Sequence, residues 1–261
     1  MSPLVTVIMP AYNCVHTVEQ SVCSIINQTM SDLELIIVDD GSSDQTFDLL
    51  MRLKQRDPRV AVLRNDRNIG VAATRNRAID MAKGKYIAFL DSDDTWKADK
   101  LEKQIALLNK ENGDLCFTSY DFVNVSGMPI SQPPYIVPEK TNYHDMLREN
   151  SIGLSTVLIR RDALQGIQFE IQWFHEDYVL WLTLLRMGKT AWGLQDILVT
   201  YRLGGRSSNK FKAAKNRWRI YRSHEKLSFV TSLYFFCYYI HNGIKKFKLK
   251  KDLIGIYENN K

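Results

Sequence analysis

Cysteine is scarce and scattered in this sequence. Cys14, Cys23, Cys116 and Cys237 form no CxxC or zinc-finger spacing within 261 residues, which argues against a disulfide framework or a structural zinc site and fits a reducing compartment. Glycine-rich phosphate cradles are lacking too. No GxGxxG follows the first apolar run and no GxxxxGK[ST] occurs anywhere, so neither a Rossmann dinucleotide site nor a P-loop is supported. No charged region precedes residues 4–9, LVTVIM, and that run is too short for a signal-peptide core. It reads as a strand, and the chain is expected in the cytoplasm. Internal repeats and low-complexity tracts are missing. Acids are nearly absent from one segment: residues 206–251 hold 13 Lys and Arg against the single acid Glu225, a net of +12 in a chain whose total is +6. The remainder therefore carries −6. Phosphate-bearing partners, lipid headgroups or nucleic acid, suit such a basic segment, and a merely solvated helix face is its plainer reading.

What is present alternates between two periods. LVTVIM and LELIIV (residues 33–38) are β-rich runs separated by a helical stretch over about 15–28, a βαβ unit. Ser42 or Ser43 can cap a helix through Thr46, Leu49, Leu50 and Leu53, and RVAVLR (59–64) supplies a further strand. Residues 71–82 have helical spacing with Gly84 as a stop, and YIAFL (86–90) follows as a strand. Four strands alternating with three helices predict an α/β fold, a mostly parallel central sheet flanked by helices. A helix is expected from Trp96 to about Asn112, strands over 114–123 and 155–161, and a helix over 175–189 closed by Gly188. Between them, residues 126–140 contain Gly127, Pro129, Pro133, Pro134 and Pro138, an irregular connection suited to border a cleft.

Two of the predicted strands end in acids: Asp39 and Asp40 after the second, then Asp91, Asp93 and Asp94 around Ser92 after the fourth. In open parallel α/β sheets, ligands bind beyond the carboxyl ends of the strands. Either cluster alone could consist of turn formers or helix caps; two on one edge argue for a shared task. In an extended chain Asp91 and Asp93 share a face with Cα atoms about 6.6 Å apart. Both stay ionised only if water or a cation screens them. A divalent ion held by one or two carboxylates together with substrate phosphates meets that need, which points to Mn2+ or Mg2+.

TVIMPAYN, ELIIVDDGSSDQT, NIGVAATRNRA and GKYIAFLDSDD, in this order and spacing, closely resemble the nucleotide-sugar-binding half of family 2 inverting glycosyltransferases of the GT-A fold. Bacterial enzymes that build surface polysaccharides such as O-antigen or capsule are the most similar members. The likeness covers about residues 5–96 and extends less tightly to HED (175–177) and YRLGGRSS (201–208). It implies a glycosyltransferase domain over 1–205, with a nucleotide-sugar-binding half (1–96) and an acceptor half (97–205), followed by a basic helical segment (206–261). Carried over by position, Pro10, Ala11, Tyr12 and Asn13 line the nucleoside pocket and Asp40 accepts from the uracil ring. Arg75 is the arginine of the NxGxxxARN stretch, here preceded by Thr74 instead of Ala. Asp91 and Asp93 form the DxD pair, Asp93 foremost as metal ligand and Asp91 with Ser92 toward the ribose; Asp39 and Asp94 are further acids of the same rim. The resemblance also implies a UDP-sugar donor and a glycan acceptor linked to undecaprenyl diphosphate.

Asp177 has a physical case of its own. On a helix starting near His175 it shares a stripe with Leu180, Trp181 and Leu184, so it is expected to face inward. Acids in a first helical turn also simply complement the helix dipole. The family places its catalytic base in an ED pair like Glu176 and Asp177, which tips the reading to a base. His175 is read as structural before it is read as a ligand of diphosphate or metal.

The segment from 227 to 244 is apolar for about 18 residues yet carries Ser228, Thr231, Ser232, His241 and Asn242, and KKFKLKK follows. Spanning helices want about 20 predominantly apolar residues. An interfacial helix on an anionic membrane fits better, peripheral on the cytoplasmic face of the inner membrane, with packing against the catalytic domain as the rival. Two other functions compete with transfer. A nucleotidyltransferase making nucleotide sugars would want a glycine-rich basic loop where PAYNCVHT stands. A nucleic-acid-binding protein fits the tail alone and leaves the acids unexplained, since they repel a phosphate backbone, so no nucleic acid is expected.

Overall fold

The computed structural model describes residues 2–204 and 210–258, the backbone alone for 210 and 244–258. The division expected at 205/206 and the GRSS of YRLGGRSS fall outside the described residues. Four parallel strands, β1 (Val5–Ala11), β2 (Leu33–Asp39), β3 (Val60–Arg64) and β4 (Tyr86–Phe89), form the first half in the order β3-β2-β1-β4. The chain moves outward from β1 to β3 and then returns to the other side of β1. That reversal is a topological switch point, beside which such sheets hold ligands.

Their continuous apolar character follows from burial on both faces. Val5, Val7 and Met9 of β1 join one core with α1 (Val18–Ile26), α2 (Thr46–Arg56) and α4 (Lys100–Lys110). Ile8 points the other way, with Ile87 and Phe89, into a core shared with α3 (Val71–Met81) and α6 (Glu176–Arg186). The period of two along each strand divides the apolar residues between the faces.

The second half is mixed. β5 (Thr95–Trp96), β6 (Leu115–Val123), β7 (Lys140–Thr141), β8 (Leu158–Arg160) and β9 (Ala191–Arg202) extend one sheet, with β8 antiparallel to β4 and to β6, and β9 parallel to β6. The parallel core expected from the sequence thus continues into largely antiparallel pairs, an α/β sheet flanked by helices throughout. Sequence periodicity had left 191–202 without an assignment, and it forms the long strand β9. α5 (Tyr143–Arg148), which also had none, is only six residues long and is capped by Asn142, whose side chain accepts from the backbone N–H of His144 and Asp145.

Ser42 and Ser43 do not cap α2. Ser42 Oγ accepts from Asn13 N (2.9 Å) and Ser43 N donates to Asn13 Oδ1 (2.9 Å), while Asp44 Oδ1 accepts from Thr46 N (3.0 Å). A neighbouring strand end competes for the serines, and the acid closer to the helix takes over the local donor. The C-terminal part comprises α7 (Lys210–Arg219), a π-helical turn over Ile220–His224 and α8 (Phe229–Glu258). Phe235 of α8 is buried against Tyr221, with ring centroids 6.3 Å apart.

Candidate active site

The register of the parallel strands brings the acidic stretches together. Ala11 is level with Asp39 across β1–β2 and Ile8 with Phe89 across β1–β4. Leu90 N continues that ladder to Ile8 O (3.1 Å), so Asp39 and Asp91 flank the carboxyl end of β1 from opposite sides. A cleft of about 800 Å³ opens there, lined by Pro10, Ala11, Tyr12, Asn13, Asp40, Arg75, Asp91, Ser92 and Asp93 among others. Every residue expected at the nucleotide and metal positions lies on it.

The loops around the cleft are sewn together by the residues that the motifs share. Asn13 adopts a left-handed φ of 47°, a conformation that Asn tolerates, and its side chain meets Ser43 as described. Cys14 N donates to Thr46 Oγ1 (2.8 Å). Gly41 has φ 72°, and a Cβ there would come within 2.8 Å of the Arg67 backbone. The DDG turn therefore needs glycine both for its conformation and for the close approach of the 67–68 loop.

Asp40 is buried and accepts three hydrogen bonds: Oδ1 from Asn65 Nδ2 (2.8 Å) and Ile69 N (2.9 Å), Oδ2 from Gly70 N (3.0 Å). A carboxylate has about four acceptor sites, so one on Oδ2 is left for a ligand. Asp39 lies beneath the cleft floor. It is fully buried, its Oδ2 accepts from Ser42 N (3.2 Å) and pairs with Arg64 Nε (3.2 Å), and its Oδ1 has no partner among the described residues.

At the end of β4 the acids divide their roles. Asp94 is buried, with Oδ2 accepting from Ser155 Oγ (2.6 Å) and Oδ1 from Arg202 N (3.0 Å), which pins the 91–94 turn to the second half. Burial, then the charges of Asp93 and Asp91, hold its carboxyl well above the usual range. The Asp93 carboxylate receives no hydrogen bond from another residue's side chain among the described residues, although its backbone O accepts from Arg202 Nε. Burial first and the Asp91 charge second push it up to about 6. Asp91 pairs through Oδ1 with Arg75 Nη2 at 2.6 Å.

Arg75 is the hub. Rising from α3 and only 3% exposed, it holds Asp91 with one guanidinium nitrogen and Glu176 Oε1 with the other at 2.7 Å. Burial works against its charge, but Asp91 and Glu176 outweigh burial and raise its pKa. The buried member of the ED pair is thus Glu176, spent on Arg75, while Asp177 at the inward stripe's end stays partly exposed. Burial and then the Glu176 charge push Asp177 up to about 6, against the Tyr178 N–H and the Arg75 charge. His175 is turned elsewhere: its ring packs on Phe174 at 4.8 Å and its Nδ1 lies 3.4 Å from Asn216 Nδ2.

Sequence reasoning missed Arg202. From the end of β9 its Nε donates to Asp93 O (3.1 Å), Nη1 to Val125 O (3.0 Å) and Nη2 to Gln20 Oε1 (3.2 Å), closing one wall of the cleft. The only signal was its place in YRLGGRSS.

A divalent cation suits this rim. The clustered, incompletely neutralised carboxylates of Asp93 and Asp91 are hard oxygen donors facing open space. No group of three or more His, Cys, Asp or Glu side chains placed to hold a metal occurs among the described residues.

A nine-stranded sheet with a switch-point cleft and an acid-bearing strand end among the described residues fits the GT-A fold, and known proteins agree. Residues 6–167 match the Glycosyl transferase family 2 domain. The chain is 41% identical over 246 residues to the putative teichuronic acid biosynthesis glycosyltransferase TuaG of Bacillus subtilis, covering 94% of this chain and 97% of that one. It is 36% identical over 246 residues to the Escherichia coli UDP-Glc:alpha-D-GlcNAc-diphosphoundecaprenol beta-1,3-glucosyltransferase WfgD, covering 93% and 94%. In fold it is similar to the Pyrobaculum calidifontis mannosyltransferase PcManGT in complex with GDP-Man and Mn2+, at 19% identity and a TM-score of 0.66, covering 87% of this chain and 66% of that one. The protein belongs to glycosyltransferase family 2 and is a glycosyltransferase of the GT-A fold.

Proposed function

We propose that this enzyme transfers a sugar from a UDP-sugar, with inversion at the anomeric carbon, to a hydroxyl of a glycan carried on undecaprenyl diphosphate, in the cytoplasmic assembly of a bacterial surface polysaccharide. The observation that carries the reading is the Arg75 bridge, which ties Asp91 of the donor rim to Glu176 beside Asp177 through two contacts of 2.6 and 2.7 Å. Donor and acceptor chemistry need to meet at one place, and this buried guanidinium holds their carboxylates in one constellation. The names of TuaG and WfgD support the polysaccharide, the UDP donor and the lipid-linked acceptor.

Pro10, Ala11, Tyr12 and Asn13 form the wall for the nucleoside, and the free acceptor site on Asp40 Oδ2 receives a base N–H. Asp93 and Asp91 would hold Mn2+ or Mg2+, which when bound neutralises charge on the departing diphosphate; the Mn2+ of PcManGT supports the choice. Asp177 accepts the proton of the acceptor hydroxyl as its oxygen attacks the anomeric carbon from the face opposite the leaving group. A carboxyl raised to about 6 is a stronger base than an ordinary aspartate and still ionised near neutral pH. The carboxylate returns to its ionised form by releasing the proton to water, with no covalent sugar intermediate.

The test is transfer from UDP-sugars to a short-chain prenyl-diphosphate sugar, with thermal stabilisation by UDP and Mn2+ measured alongside. Asp177→Asn is expected to lower turnover by about 10²–10⁴ while leaving UDP stabilisation intact. Undiminished turnover in that variant would remove the assignment of the base.

A further inference from the structure

We propose that the solvent-facing side of α8 docks on an anionic lipid bilayer and sets the Asp177 side of the cleft toward the membrane. At 100° per residue, Ser232 and Phe235 fall on one side of α8 and are buried against the body of the enzyme. The opposite side carries Val230, Leu233 and Tyr234, which are 45–76% exposed, with Phe229, Tyr238 and Ile240 on its flanks at 41–60%. A helix that meets water normally presents charge on that side. Here residues 229–243 contain no Asp, Glu, Lys or Arg at all.

Charge selects the occupant. Residues 226–251 contain no acid, and Lys245, Lys246, Lys248, Lys250 and Lys251 continue the same helix. A second copy of the chain laid on this face would bring together two segments of net +12 each, which repel. An anionic bilayer supplies both an apolar layer for the aromatic side chains and negative headgroups for the lysines. The mode is interfacial, since no helix among the described residues is long and apolar enough to cross a membrane.

The packing couples this face to the site. Arg217 of α7 lies over the Tyr178 ring at 3.5 Å and 5.1 Å from the Tyr239 ring of α8. Asn216 Oδ1 accepts from Phe174 N at 3.4 Å. Tyr178 follows Asp177 directly, so α7 and α8 bear on the first turn of the helix that carries the base. The orientation of the cleft rests on the proposed function; the docking itself does not.

Flotation of the full chain with acceptor-free vesicles separates the two. Vesicles of phosphatidylethanolamine and phosphatidylglycerol are expected to carry the protein, pure phosphatidylcholine vesicles are not, and added salt should release it. The double variant Val230→Glu, Leu233→Glu changes two exposed positions. It is expected to lose about tenfold in vesicle partition with its melting temperature and its stabilisation by UDP unchanged. Equal flotation of variant and parent overturns the proposal, as does equal binding to neutral vesicles. A lipid-free dimer that the double variant dissociates would assign the face to a second copy and overturn it too.

Discussion

The two acidic strand ends use the same side chain for different ends. At β2, Asp40 is occupied by three donors and Asp39 by two, so these carboxylates hold loops. At β4, the Asp93 carboxylate is held by no other side chain among the described residues and sits beside Asp91, whose charge adds to burial in pushing it up to about 6. The sequence neighbours do not make this difference. It arises because the 65–70 loop folds its N–H groups over β2, while the end of β4 faces the cleft.

The comparison breaks most severely at the residue that serves both halves. Arg75→Ala leaves Asp91 and the buried Glu176 without their cation, and breaking a buried pair costs about 3–5 kcal/mol. Denaturant unfolding is expected to register that loss, together with loss of transfer. Next, Asp93→Ala is expected to reduce metal-dependent transfer by more than about 10² without lowering the melting temperature, because an ionised Asp93 costs stability in the fold. Asp40→Ala should do the reverse in part: it strips the acceptor from Ile69 N, while Gly70 N and Asn65 Nδ2 keep Asn68 Oδ1 and Thr74 Oγ1, a loss of about 1–3 kcal/mol for the donor left unsatisfied, visible in thermal melts without any ligand. If both variants proved equally stable, the contrast between a loop-holding and a ligand-facing rim would fall.

The smallest effects are in pH. Asp93 and Asp177, raised to about 6, favour the fold in their protonated forms. Their contribution to stability is present below about 4 and lost as pH rises through about 6. Transfer is expected to run the opposite way if Asp177 is the proposed base, which must be ionised to accept a proton: kcat/KM should rise with pH through about 6. His224 lies 2.6 Å from Glu225 and 2.9 Å from Glu170, and these partners raise its pKa against burial, Glu225 foremost. Its stabilisation is present below about 6.5 and lost as pH rises through its raised value. Melting temperatures of His224→Gln and the parent should therefore converge toward alkaline pH.

The first half of the fold was legible in its sequence to within a few residues. Helices expected over about 15–28 and 71–82 occupy Val18–Ile26 and Val71–Met81. The two-residue strands β5 and β7 were not legible, because each exists only through its ladder with β9. In the site, DxD and ED were legible as motifs, whereas Arg202 was not: a lone arginine announces nothing until the Asp93, Val125 and Gln20 acceptors surround it.

Local chemistry was thus enough to decide the alternation of strand and helix and the presence of acids at two strand ends, since periodicity and side-chain type belong to neighbouring residues. Which of those acids holds a loop and which faces the cleft without a side-chain donor, and that Glu176 rather than Asp177 takes the Arg75 contact, was decided only by tertiary structure. A carboxylate's role is set by the donors and the solvent around it, and these come from segments as much as 108 residues away in the chain.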